Sequence, residues 1–352
     1  AGLMSMEPAT GDIKAWVGGI DWKHFQYDHV KQGKRQVGST FKPFVYATAI
    51  MNLGMTPCST VSNATYTKGD WVVEGKGGNL TLRDALAHSK NPVAVRLIES
   101  VSPKKVIQLA RDLGVTEEMP NEYAIALGSS DITIYEMLGA YSSFANFGNY
   151  IKPEMVWRIE DANGRVIKEV KNETKEVMNE MYAYTMIDLM KGVTRFGTAS
   201  GELRRMGIPE TVEIAGKTGT TQNNSDGWFM GITPNLATGV WVGWEDRATH
   251  FWSTGEGQGA KMALPIWGIF MKKVWADKEL GITPDDKFAK PSNWTGDCAD
   301  LQGLGGYGDD GGLQTIDQIK NPKPKDNQPK NNKPKEENLN ENLNKDEVDF
   351  NQ

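Results

Sequence analysis

The chain has 352 residues, of which 39% are hydrophobic, with 11 Trp and a formal net charge of −6. That length holds one large domain or two ordinary ones with a real core, and so modest a charge gives no reason to expect a nucleic-acid partner. No apolar run is long enough to span a bilayer, and no signal peptide is visible.

In chain order, residues 2–19 read as a hairpin. Leu3-Met4-Ser5-Met6 and Ile13-Lys14-Ala15-Trp16-Val17 flank a Pro8-Ala9-Thr10-Gly11 turn. The chain opens on Ala1-Gly2-Leu3-Met4, already strand-like, and is expected to be a fragment whose N-terminal portion is missing. A helix is predicted from about Thr40 to Asn52, with Phe41, Phe44, Val45 and Thr48 on one face and Gly54 as its stop. Thr81 with Asp84 resembles a capping box for a helix ending near His88, and Pro92 starts the next one, so Ser89-Lys90-Asn91 falls on the joint. Further helices are predicted over 133–147 and 179–193, and Asn163-Gly164 marks a hairpin over 155–170. Val212 to Lys217, Gly227 to Thr233 and Thr238 to Trp244 read as consecutive antiparallel strands, the last two joined at Pro234-Asn235. A helix over 261–278 closes the domain.

The expected organisation is a domain over 1–285 and a low-complexity C-terminal extension over 286–352. Residues 303–312 are glycine-rich, 320–335 alternate Lys, Pro and Asn, and 336–349 are mainly Glu, Asp and Asn. Such a composition buries too little apolar area to offset its ordering entropy, so disorder is expected there. Cys58 and Cys298 are far apart and fit neither a zinc site nor a redox pair; two isolated thiols and a single disulfide both remain open. His24, His29, His88 and His250 lack metal-ligand spacing, and no metal or other cofactor is assigned.

Three short motifs stand in order: Ser39-Thr40-Phe41-Lys42, Ser89-Lys90-Asn91 and Lys217-Thr218-Gly219. A serine three residues before a lysine arises by chance about once in such a chain, and Ser102-Pro103-Lys104-Lys105 is taken as that accident. The ordered trio is the equipment of a serine acyl-transferase that attacks a peptide or a β-lactam. Ser39 and Lys42, three apart at a helix start, lie on one face beside the positive helix terminus. A serine hydroxyl needs a base, and a lysine is one only when neutral; burial and a second cation, for which Lys217 is placed, lower its pKa. Ser89 is suited to relay a proton from Lys42 to a leaving amine, and Asn91 to offer an amide to the substrate backbone. Gly216 to Thr220 resembles an edge strand lining the pocket, where an extended peptide could add as a strand and Gly219 would allow close approach. Lys217, Thr218 and Thr220 could hold a carboxylate, and the backbone N–H groups of Ser39 and Thr220 are oxyanion-hole candidates.

Beyond the trio, the chain resembles the transpeptidase domain of class A penicillin-binding proteins. Lys34-Arg35-Gln36-Val37-Gly38-Ser39-Thr40-Phe41-Lys42-Pro43-Phe44-Val45-Tyr46, with Gly18-Gly19 before it, is similar to the family's serine region. Ala85-Leu86-Ala87-His88-Ser89-Lys90-Asn91 is similar to its second motif region. Ala126-Leu127-Gly128, Ala140-Tyr141 and Phe144-Ala145-Asn146-Phe147-Gly148 resemble the family's next helix, and Gly216 to Thr220 with Asp226-Gly227-Trp228-Phe229 its third motif strand and the one after. The likeness covers roughly residues 1–275.

The resemblance implies an α+β fold, an α/β sandwich with a mainly antiparallel central sheet flanked by helices and a helical lobe carrying Ser39 and Ser89. It implies that Ser39 attacks the D-Ala–D-Ala bond of a donor stem peptide of peptidoglycan, that an amine from a neighbouring stem peptide resolves the acyl-enzyme, and that β-lactams acylate the same serine. It further implies work on the extracytoplasmic (periplasmic) face of the cell membrane, through an anchor and a glycosyltransferase part that this chain does not contain, alongside other cell-wall synthesis proteins. The alternatives are a D,D-carboxypeptidase, a serine β-lactamase, and a non-enzymatic β-lactam sensor or scaffold. One lactamase class has an apolar residue where this chain has Asn91, and another needs a Glu between the second and third motifs. The Glu336 to Asn340 string comes after the third motif and is set aside. A silent scaffold should have lost Ser39, Lys42 or Lys217, and none is lost.

Overall fold

A computed structural model describes residues 1–221 and 223–294. Five strands form the central sheet: β1 (Gly2–Met6), β2 (Ile13–Val17), β3 (Ala215–Thr220), β4 (Asp226–Ile232) and β5 (Ala237–Gly243). Their order is β3-β4-β5-β1-β2, with every neighbouring pair antiparallel. The first strand of the chain thus lies beside the last strand of the sheet in sequence, since β1 pairs with β5 in the register Leu3↔Val240 and Met4↔Gly239. Ser5 and Thr238, opposite one another, bury their hydroxyls in a mutual hydrogen bond of 2.7 Å.

Both faces of the sheet are covered. The Phe229 ring on β4 meets Trp267 of the closing helix Leu264–Ala276, centroid to centroid 5.3 Å. The next residue, Met230, points the other way because side chains alternate along a strand. Gly239, opposite Met230, opens onto Ile134 at the start of a second helix. This sandwiching explains why β3, β4 and β5 are buried almost throughout and read as apolar or small-residue runs rather than alternating ones.

The helical part comprises α1 (Lys42–Leu53), α2 (Leu82–Ala87), α3 (Asn91–Val101), α4 (Pro103–Asp112), α5 (Ile134–Ala145) and α6 (Glu180–Arg195). Helix α1 is the hub, packing against α3, α4 and α6. The predicted apolar face understates it: Lys42 to Ile50 are all buried, because α1 is surrounded by other elements rather than lying on a surface. Gly54 stops it in the left-handed conformation at φ 63°, as expected. The helix starts later than predicted. Gly38–Phe41 form a 3-10 turn, and the α-helix proper begins at Lys42.

Thr81 caps α2, its hydroxyl accepting the Asp84 N–H at 3.1 Å. The box is only half made. The Asp84 carboxylate takes the Thr81 hydroxyl at 2.8 Å, where a longer Glu would reach back to the backbone N–H. Strand β3 runs three residues later than predicted at each end, continuing in register through Thr220↔Gly227. The Lys217 motif therefore lies inside a strand and not at its end. The hairpin about Asn163-Gly164 is present, pairing Arg158–Glu160 with Val166–Glu169.

Packing continues past residue 285. Phe288 is buried, its N–H donating to Glu213 at 3.0 Å, and Trp294 packs edge-on against Tyr184 at 5.1 Å. The rest of the expected 286–352 extension lies outside the described residues, as does Cys298; Cys58 is disulfide-bonded.

Candidate active site

The serine turn is held against the sheet from both sides. Upstream, Arg35 donates through Nε to the buried Asp226 carboxylate at the start of β4 (2.7 Å), and its other nitrogens reach the Trp244 and Glu245 carbonyls. Trp228 on β4 donates its ring N–H to the Gln36 carbonyl at 2.9 Å. Downstream, the fully buried Tyr141 on α5 donates its hydroxyl to the Thr40 carbonyl at 2.5 Å. Gly38 stands at φ 52°, and a Cβ there would lie 2.7 Å from the Thr220 carbonyl, so only glycine lets the peptide before Ser39 press on that of Thr220.

Gly219 plays the reciprocal part. A Cβ at Gly219 would come within 3.0 Å of the Val37 carbonyl, the Thr40 methyl and Trp228. On its Cβ side, Gly219 thus admits the protein's own serine turn. Strand β3 is the sheet edge, as predicted.

In the 3-10 turn, residues three apart eclipse one another, which aligns Ser39 with Lys42; the Lys42 N–H bonds the Ser39 carbonyl. Lys42 and Lys217 are both completely buried. Lys42 Nζ donates to the Ser89 carbonyl (2.6 Å), the Asn91 Oδ1 (2.6 Å) and the Ser89 Oγ (3.1 Å). Lys217 Nζ donates to the same Ser89 Oγ at 2.9 Å and to the Thr218 carbonyl at 3.0 Å. One serine hydroxyl therefore joins two buried lysine nitrogens that have no carboxylate partner among these bonds.

Burial pushes Lys42 well below the ordinary lysine range, with Lys217 and then Lys90 adding charge repulsion. Burial pushes Lys217 down to about 7. Both shifts favour the neutral amine, the form in which Lys42, next to the Ser39 turn, can accept a proton.

Ser89 itself is strained, at φ 54° without being glycine. Its N–H bonds the Leu86 carbonyl and that of Lys90 the Ala85 carbonyl, so the end of α2 and the start of α3 over-determine the joint. Asn91 directs its Oδ1 at Lys42, which turns its Nδ2 donors away from the lysine. On β3, the Thr220 hydroxyl accepts the Gly259 N–H at 3.0 Å and keeps its own proton to donate.

The structure thus brings Lys42, Ser89, Asn91 and Lys217 into one hydrogen-bonded cluster beside the Ser39 turn and the Thr218-Gly219-Thr220 edge. His88, adjacent in sequence, is exposed; its ring contacts Phe196 and the Asp84 carbonyl instead. Sequence reasoning missed Thr198, whose Oγ1 lies 2.6 Å from the Thr218 Oγ1. It also missed the roles of Arg35, Asp226 and Tyr141 in seating the serine turn. A lone Thr after a helix carries no local signal; the unbroken Lys34 to Tyr46 string was the available hint for Arg35. Among the described residues no cluster of His, Cys, Asp or Glu could hold a metal.

Residues 1–248 match the family model described as the penicillin-binding protein transpeptidase domain. The chain is 36% identical over 298 residues to penicillin-binding protein 1A of Aquifex aeolicus, covering 81% of this chain and 40% of that protein. It therefore spans less than half of that relative's length. Among solved structures, penicillin-binding protein 1A from Haemophilus influenzae matches with a TM-score of 0.73 at 25% identity, covering 83% of this chain and 49% of that one. PonA1 from Mycobacterium tuberculosis in complex with penicillin V matches with a TM-score of 0.70 at 25% identity, over 83% and 80% of the two chains. With a family model matching residues 1–248, most of its length, the chain belongs to the penicillin-binding protein transpeptidase domain family.

Proposed function

We propose that the chain is a serine D,D-transpeptidase of peptidoglycan, cross-linking stem peptides through an acyl-enzyme on Ser39 and acylated there by β-lactams. The observation that carries this reading is the Ser89 hydroxyl shared between Lys42 at 3.1 Å and Lys217 at 2.9 Å. A neutral Lys42 takes the Ser39 proton as Oγ attacks the carbonyl of the penultimate D-alanine. The negative charge that develops on the carbonyl oxygen is met by the backbone N–H groups of Ser39 and Thr220. The C–N bond then breaks, and the proton passes from Lys42 through the Ser89 hydroxyl to the departing D-alanine amine. Asn91 orients the peptide backbone, and Lys217, Thr218 and Thr220 hold the terminal carboxylate at the edge of β3. In the second half the acceptor amine attacks the ester, its proton returns along the same path, and Ser39 leaves re-protonated.

A catalyst of this reaction works on the extracytoplasmic face of the membrane, where its polymer lies. No helix among the described residues is long and apolar enough to cross a membrane. A D,D-carboxypeptidase shares every step up to the acyl-enzyme and differs only in admitting water.

The reading is tested by intact-mass spectrometry with benzylpenicillin, followed over hours. A lasting adduct that maps to Ser39, and transfer of a donor peptide to an added amine, are expected. Rapid loss of the adduct with hydrolysed drug accumulating would make the protein a lactamase, and no adduct would move the scaffold reading to the front.

A further inference from the structure

Thr198 lies in the turn between α6 and the short helix Ser200–Arg205, outside all three motifs. Its backbone is tightly placed. The Thr198 N–H donates to the Ala87 carbonyl at the end of α2 (3.1 Å), and the Ala199 N–H to Val193 (3.0 Å). Before it, Gly197 is pressed on α2 so closely that a Cβ would lie 2.2 Å from the Ala87 carbonyl. The turn thus takes its position from the helix that ends two residues before Ser89. From there Thr198 reaches across to β3, and its hydroxyl meets that of Thr218 at 2.6 Å. Thr218 is nearly buried, whereas Thr198 is partly open to solvent.

Each hydroxyl has one proton and two lone pairs. In a pair at this distance one donates, and one proton is left over. If Thr218 donated to Thr198, its proton would be spent inside the pair and would not reach a substrate. When Thr198 donates to Thr218, the Thr218 proton is free to point elsewhere. Such a chain also polarises its outer bond, which strengthens it toward an anion. The Thr218 carbonyl, meanwhile, already accepts Lys217 Nζ, so residue 218 is held at both its backbone and its side chain.

We propose that Thr198 is a positioning residue for recognition of the donor's terminal carboxylate: it donates to Thr218 and so aims the Thr218 hydroxyl at that carboxylate. The inference rests on the function proposed above and extends it, by making discrimination for a C-terminal carboxylate depend on a residue outside the three motifs. It also couples that recognition to the relay. The same turn that aims Thr218 is docked on α2, the helix that leads into Ser89.

The test compares acylation rates of wild type, Thr198→Val and Thr198→Ser with two probes, benzylpenicillin and its methyl ester, read by intact mass. Valine keeps the shape and removes only the hydroxyl; serine restores it. Thr198→Val is expected to slow acylation by the free acid about tenfold, the worth of one ordinary hydrogen bond, and to leave the slower reaction with the ester unchanged. Thr198→Ser is expected to stay within about twofold of wild type with both probes. Equal losses on acid and ester would show a merely structural role and overturn the inference, as would no loss on either or a failure of serine to rescue. Absence of an adduct on the wild-type protein would overturn the functional reading itself, a result distinct from a wild-type adduct with no carboxylate dependence.

Discussion

The chain contains two serine-x-x-lysine stretches that precede or open a helix, and they have opposite fates. Ser39 lies in a 3-10 turn pressed on β3, and Lys42 is completely buried with a pKa well below its ordinary value. Ser102 precedes α4 with Pro103 at the helix start, yet it is exposed at φ 78°, its side chain caps nothing, and Lys105 lies in solvent. The spacing is the same. What differs is that α1 threads the middle of the domain while α4 lies on its rim. A lysine becomes a base when the fold removes water from it and places a second cation nearby; the local motif supplies neither.

The sharpest break of this comparison is Ser39→Ala, which should abolish the penicillin adduct while circular dichroism and melting stay close to wild type; a retained adduct would place the nucleophile elsewhere. Lys42→Met should slow acylation by roughly a thousandfold, within the usual range for loss of a general base. Lys105→Met, the same change in the decoy, should leave the rate untouched. A loss there comparable to that at Lys42 would undo the distinction.

Removing the clamp on the serine turn should act through the fold. Asp226 is completely buried against Arg35, so Asp226→Asn leaves a guanidinium without its counter-charge and should cost about 3 kcal/mol in urea unfolding. An unchanged midpoint would show that the Trp228 and Tyr141 bonds suffice to hold the turn.

The pH dependence tests the two-lysine arrangement. In the proposed mechanism acylation uses a neutral Lys42 and a charged Lys217, so kcat/KM should be bell-shaped, with its alkaline limb near pH 7 where free Lys217 loses its proton. Lys217→Met should lower the rate and remove that limb. Stability should respond in the opposite sense. Lys217 has a folded pKa of about 7, below its unfolded value, so between pH 7 and the ordinary lysine range the unfolded chain binds more protons. Native stability therefore rises with pH across that window, and Lys217→Met should flatten the rise. The smallest effect is expected at Lys90. Its charge is a minor contributor to the lowering of Lys42, so Lys90→Gln should move the acid limb upward by a fraction of a pH unit, measured by stopped-flow acylation.

Much of this was legible in the sequence because it is carried by local chemistry. The Pro8-Ala9-Thr10-Gly11 turn marked the first hairpin, Gly54 the end of α1, Pro92 the start of α3, and Asn163-Gly164 a tight turn, each read from residues a few positions apart. The trio was legible because its members keep their order along the chain, and Ser39, Lys42, Ser89 and Lys217 come directly from it. What the sequence could not show is set by contacts between residues far apart along the chain. Strand β1 closes on β5, and Tyr141 and Asp226 seat the serine turn. Gly219 turns out to admit the protein's own backbone, and Thr198 meets Thr218 only because the turn after α6 docks on α2. The sequence alone determined which groups could do the chemistry. Only the tertiary structure decided their charge and aim, because a lysine's protonation depends on the water around it and a hydroxyl's direction on its partner, and neither is encoded within one segment.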